Sequence, residues 1–127
     1  SCMLKTKRWW TKGKWKYFTD DEVIGLQDPM VAKLDLARCY AGFPIVLTSP
    51  SRTPEHNLEV GGTSDSSHLK GIAVDIRRPI GEFEVLKLVW ALGLAGFRRV
   101  LVYTKHIHAD MDETKPQPLC IWMGESH

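Results

Sequence analysis

Apolar positions along the chain repeat with two different periods. From Asp28 the sequence reads DPMVAKLDLARCYAG, and Met30, Leu34, Ala37 and Ala41 recur at the spacing of one helical face. Asp28 as N-cap, Pro29 at the first helical position and Gly42 just past the end bound a predicted helix. FPIVLTS then has the β-branched, bounded character of a short buried strand, and SPSRTPEHNLEVGGTSDSS, polar and rich in turn formers, reads as a long loop. GIAVDIR alternates as a second strand, with Ala73 and Asp75 on one face and Ile72, Val74 and Ile76 on the other. GEFEVLKLVWALGLAGF predicts a second helix with Phe83, Leu86, Val89 and Trp90 as its apolar stripe, ending near Gly93 or Gly96. RRVLVY, HIHADM and PLCIWM complete the pattern as three further strands. The expected architecture is α+β, a single domain with helices flanking a mostly antiparallel sheet.

At 127 residues the chain has room for one core and not for two. A composition of 43% hydrophobic and 25% charged residues is that of a globular domain, and no apolar run approaches the length that crosses a bilayer, so no membrane span is expected. No secretory signal is visible, because lysines interrupt the first apolar residues. Net charge is only +2, yet LKTKRWWTKGKWK is dense in Lys and Arg and contains no acid. Residues 1–17 therefore read as a basic, Trp-rich arm ahead of a domain at 18–127. Trp9, Trp10 and Trp15 could stack on a polyanion or fold back on the domain; nucleic acid is not the expected partner. Cys2, Cys39 and Cys120 are widely spaced and odd in number, which argues against a disulfide framework and makes Cys39 and Cys120 small core residues.

Two stretches carry candidate chemistry. Asp75 stands inside an apolar run, and a buried carboxylate needs a proton, a cationic partner or a metal. In KHIHAD, His106, His108 and Asp110 share one face of a strand, so two imidazoles and a carboxylate line up where a sheet could bring them opposite His68 and Asp75. Catalytic zinc sites use three protein ligands from this set and leave a position for water. Zinc would balance the Asp75 charge. Spacing alone leaves open that each of these residues is an ordinary core or turn residue.

The run SPSRTPEHNLEVGGTSDSSHLKGIAVDIR, followed by AGFRRVLVY and HIHADMD, closely resembles the zinc D-Ala-D-Ala carboxypeptidase family, whose members cleave bacterial cell-wall peptides. That family shares its fold with lysostaphin-type peptidases and the Hedgehog signalling domain. Its pattern is S-x-H, six residues, D, and later a final H; Ser66, His68, Asp75 and His108 supply it in order. The resemblance implies zinc ligands at His68, Asp75 and His108, a substrate-binding arginine at Arg52 that holds a carboxylate or polarises a carbonyl, and a serine at Ser66 that helps hold the substrate or the metal site. It also implies peptidoglycan stem peptides or cross-links as substrate, hence action at the cell wall, whether periplasmic, extracellular or phage-associated. A monomer is the default expectation.

One position departs from the pattern. Many relatives carry Glu or Asp three residues before the last zinc histidine, and here that residue is Lys105, which cannot accept a proton while charged. His106 and Asp110 are the remaining candidates for catalysis, His106 as proton shuttle and Asp110 as a supporting group that orients a ligand. Asp112 is expected to begin a turn.

Overall fold

The computed structural model describes residues 13–49 and 69–124 of the chain. The long loop predicted between the first two strands falls outside them, as do residues 1–12 of the basic arm. Helix α1 is Asp28–Ala41, strands β1 and β2 are Leu47–Ser49 and Ala73–Arg77, and helix α2 is Glu82–Leu94. Strands β3, β4 and β5 follow as Arg99–Tyr103, His106–Asp110 and Leu119–Gly124. The sheet order is β1-β2-β4-β3-β5, antiparallel throughout except that β5 lies parallel to β3 at the edge. This is the α+β, mostly antiparallel single domain expected.

Both helices contribute to a core that also takes up one face of the sheet. Met30, Val31, Leu34, Ala37 and Ala41 of α1 are buried, as their spacing predicted. Pro29 stands at the start of the helix, although the N-cap position is Gln27 rather than Asp28; Gly42 closes it in a left-handed conformation, its N–H donating to Arg38 O at 3.2 Å. Below the helices lie Val74 and Ile76 of β2, Val100 and Val102 of β3, and Ile107 and Ala109 of β4. The part of the arm within the described residues belongs to this unit. Trp15 and Tyr17 pack against the core, and the backbone N–H groups of Lys16 and Tyr17 donate to the Asp35 carboxylate at 3.0 and 2.8 Å.

Three expectations need correction. The buried stripe of α2 is Val85, Leu88, Ala91 and Leu92, whereas Phe83, Leu86 and Trp90 are 75%, 70% and 54% exposed. This helix is apolar on nearly every side, so periodicity alone could not select the face. The buried face includes Ala91 beside Leu88 and Leu92, and the helix packs against α1. Cys39 is half-buried and disulfide-bonded, not a free core thiol. Cys120 is a free, exposed thiol on the edge strand rather than a core residue.

Gly71 fixes the entry into β2. Its φ is +73°, a conformation that side chains disfavour, and a Cβ there would come within 2.3 Å of Gly25 O. The close approach lets Gly71 O accept the Gln27 N–H at 2.9 Å, tying the start of β2 to the start of α1. Four residues on, Asp75 stands in register with Ser49 of β1 and His108 of β4.

Candidate metal and catalytic site

The face of the sheet opposite the core carries the polar residues, and cross-strand register sorts them into three rungs. In β2 and β4, Ala73 pairs with Asp110, Asp75 with His108 and Arg77 with His106. On the other side of β4, Arg99 pairs with Asp110 and Leu101 with His108. Directly opposed residues in an antiparallel pair share a face, so Asp75, Arg77, His106, His108, Asp110 and Arg99 all line one surface. Alternation sends Val74, Ile76, Ile107 and Ala109 to the other side, where each is fully buried.

The middle rung is the centre of the site. His108 Nδ1 lies 3.1 Å from Asp75 Oδ1, and His108 Nε2 lies 2.6 Å from Asp110 Oδ2. Asp110 is in turn held by Arg99, whose Nε donates to Oδ2 at 3.0 Å, and by the Asp112 N–H, which donates to Oδ1 at 3.0 Å. Burial opposes a charge on His108, but the hydrogen bonds to Asp110 and Asp75 and their negative charges outweigh it and raise its pKa above the ordinary 6.5. For Asp110, burial alone would push the carboxyl up; the bonds from His108 and the Asp112 backbone, with the charges of His108 and Arg99, hold it below the usual range. Without metal the rung is an imidazole clamped between two carboxylates.

His106 forms the outer rung. Its ring stacks on Tyr103 with centroids 4.5 Å apart and planes 16° from parallel, and its Nε2 is 3.9 Å from Asp75 Oδ1. Asp75 itself is less buried than its apolar neighbours suggest, its side chain being 14% exposed, so it opens toward this surface. Among the described residues the fully enclosed carboxylates are Asp110 and Asp112. Asp112 begins a turn: its Oδ1 accepts from the Thr114 N–H at 3.0 Å and the Thr114 hydroxyl at 2.5 Å. Lys115 Nζ and Lys70 Nζ stand 3.7 and 4.0 Å from its Oδ2.

The donor set suits a cation. Two ligands of a tetrahedral zinc at about 2.0–2.1 Å stand roughly 3.3–3.4 Å apart, close to the 3.1 Å between Asp75 Oδ1 and His108 Nδ1. With Nε2–H donated to Asp110, the Nδ1 lone pair faces Asp75, the carboxylate–histidine arrangement that orients metal-binding imidazoles. Among the described residues no group of three His, Cys, Asp or Glu side chains forms a metal site. The third ligand expected from the sequence, His68, lies outside them, together with Arg52 and Ser66. Of the predicted site residues, Asp75, His106, His108 and Asp110 are thus assembled on one surface. Arg99 was missed. Its signal was available, since alternation along RRVLVY puts Arg99 on the face opposite Val100 and Val102, but only the pairing of β3 with β4 brings it to Asp110.

The model of one family, Peptidase M15, matches residues 3–110. That span starts inside the basic arm and ends at Asp110, so it takes in both helices and every strand except β5. No curated protein matches the chain. With most of its length matched, and with Asp75 and His108 paired on the open face of its sheet, the chain belongs to the peptidase M15 family, whose members are generally zinc-dependent.

Proposed function

We propose that this protein is a zinc-dependent peptidase that hydrolyses peptide bonds in the stem peptides or cross-links of bacterial peptidoglycan, as a D-Ala-D-Ala carboxypeptidase or an endopeptidase. The observation that carries the reading is the Asp75–His108 pair, 3.1 Å apart, with the far nitrogen of His108 fixed on a buried Asp110. His68, Asp75 and His108 are the residues assigned to hold zinc. When bound, zinc supplies a localised positive charge that acidifies water and polarises a carbonyl.

The remaining tasks belong to side chains of this chain. Asp75 offers an anionic oxygen and His108 a neutral nitrogen. Asp110 keeps the His108 proton on Nε2, and its own three donors make it a positioning residue rather than a proton acceptor. His106, beside Asp75 and open at one edge, is assigned the proton transfer at Nε2, including delivery to the leaving amine. Arg52 holds the peptide through a carboxylate or carbonyl oxygen, and Ser66 assists at the substrate or the metal site.

A second reading rests on one residue. Lys105, exposed on the turn between β3 and β4, stands where many relatives carry the acid that takes a proton from water. It favours a domain of the same fold that holds zinc and hydrolyses nothing. The test is mass spectrometry of soluble products after zinc-loaded protein is incubated with purified peptidoglycan, beside a chelated control. Chelator-sensitive release of D-Ala identifies a carboxypeptidase, and release of larger peptides an endopeptidase. No release from several wall chemistries, with zinc retained, selects the second reading.

A further inference from the structure

Among the described residues, two arginines on the site face have opposite fates. Arg99, on the closed rung, is 14% exposed and bound to Asp110. Arg77, on the open rung, is exposed, and among the described residues its guanidinium makes no hydrogen bond or ion pair. Only its backbone is engaged, the N–H donating to Val46 O at 2.8 Å. The next residue behaves differently again: Arg78 donates to Tyr103 O at 3.0 Å and lies over the Trp122 ring at 4.3 Å. Arg77 is therefore a cation held in register by the sheet and, among the described residues, left without a partner for its side chain.

Its position gives that cation a use. Arg77 is opposite His106 and two residues beyond Asp75, about 7 Å along the strand. An extended peptide advances about 3.3 Å per residue, so a group bound at Arg77 lies one to two residues from a bond reacting at the middle rung. The flat Tyr103–His106 stack borders the same space from the neighbouring strand. An exposed guanidinium beside an aromatic wall suits a planar carboxylate, which it can bind through two parallel hydrogen bonds.

We infer that Arg77 is a substrate-binding residue that holds a free carboxylate of the peptide one or two residues from the scissile bond, giving the site a preference for anionic over amidated peptides. The inference rests on the peptidase reading for its scissile bond, while the carboxylate preference can be measured separately. A stem peptide offers two candidate carboxylates, the D-Glu α-carboxyl and the terminal carboxyl, and each can be replaced by a neutral amide of nearly the same shape in a synthetic probe.

The experiment uses the full chain loaded with zinc and three synthetic probes: L-Ala-γ-D-Glu-L-Lys-D-Ala-D-Ala, the same peptide with D-isoglutamine, and the same peptide as its terminal amide. KM reads the preference if the peptides are cut; a calorimetric Kd reads it if they are not. A lack of cleavage thus counts against the peptidase reading without touching this inference. The parent should favour the acidic peptide over one of the amides by about tenfold, the scale of one charge-assisted contact. Arg77→Gln should reduce that ratio to within twofold with kcat little changed, and Arg77→Lys should keep part of it. Equal binding of all three probes by the parent, or an undiminished ratio in Arg77→Gln, overturns the inference.

Discussion

The two faces of β4 place alternate residues of one strand in opposite settings. Ile107 and Ala109 point into aliphatic core, both fully buried, while His106, His108 and Asp110 point into a ladder of charges. On the core face each side chain contributes by area and shape, and a loss is shared among many neighbours. On the ladder each group holds the next. Arg99 and the Asp112 N–H hold Asp110, Asp110 holds His108, and His108 faces Asp75. Damage to the core should therefore appear as lost stability, and damage to the ladder as lost metal and chemistry.

The largest separation of the two should come from His108→Ala. Outer partners of metal ligands are commonly worth 10–100-fold, so loss of a ligand should exceed roughly 100-fold in zinc affinity and in hydrolysis. Metal analysis and a cleavage assay on the same preparation check both. Ile107→Ala, one residue away on the other face, should cost about 2–5 kcal/mol in urea unfolding, with activity per folded molecule within twofold of the parent. If Ile107→Ala instead emptied the site of metal, the two faces would not be independent.

Asp110→Asn sharpens the ladder itself. Removing the charge while keeping the shape should lower zinc affinity by about 10–100-fold, measured by competition with a chromophoric chelator. An unchanged affinity would remove Asp110 from its orienting role.

The smallest effect is a dependence on pH. In the metal-free protein the raised pKa of His108 means that its contribution to stability is complete below its ordinary 6.5 and is lost as pH rises through the higher folded value. Asp110 acts at the other end. Its contribution is present above its ordinary 3.8 and is lost as pH falls through the lower folded value. On the proposed assignment of His108 as a ligand, zinc competes with its proton, so zinc affinity should rise by up to about tenfold per pH unit until the raised value is passed. Titrations across that range test it, and a flat profile would mean that His108 is already neutral before metal binds.

Much of this organisation is legible in the residues. Pro29 and Gly42 mark α1, and strict alternation in AVDIR and HIHAD sorts core from ladder before any pairing is known. The pairing is what alternation cannot supply. That Asp110 meets Arg99, and that β5 runs parallel at the edge, depends on strand order, which is a long-range property. The face of α2 was hidden for a different reason: with Phe83, Leu86 and Trp90 on one side and Val85, Leu88 and Leu92 on another, hydrophobicity did not choose between two apolar faces, and long-range packing of the helix against α1 did. Asp75 looked buried because its sequence neighbours are, yet each neighbour points to the opposite face.

The most direct test of the account is the zinc content of the purified full chain, set beside those of Asp75→Ala and His108→Ala, each checked for folding by circular dichroism. The account predicts about one equivalent in the parent and less than about a tenth in either folded variant. Full occupancy in both variants would contradict it, because the metal would then be held by residues other than the Asp75–His108 pair.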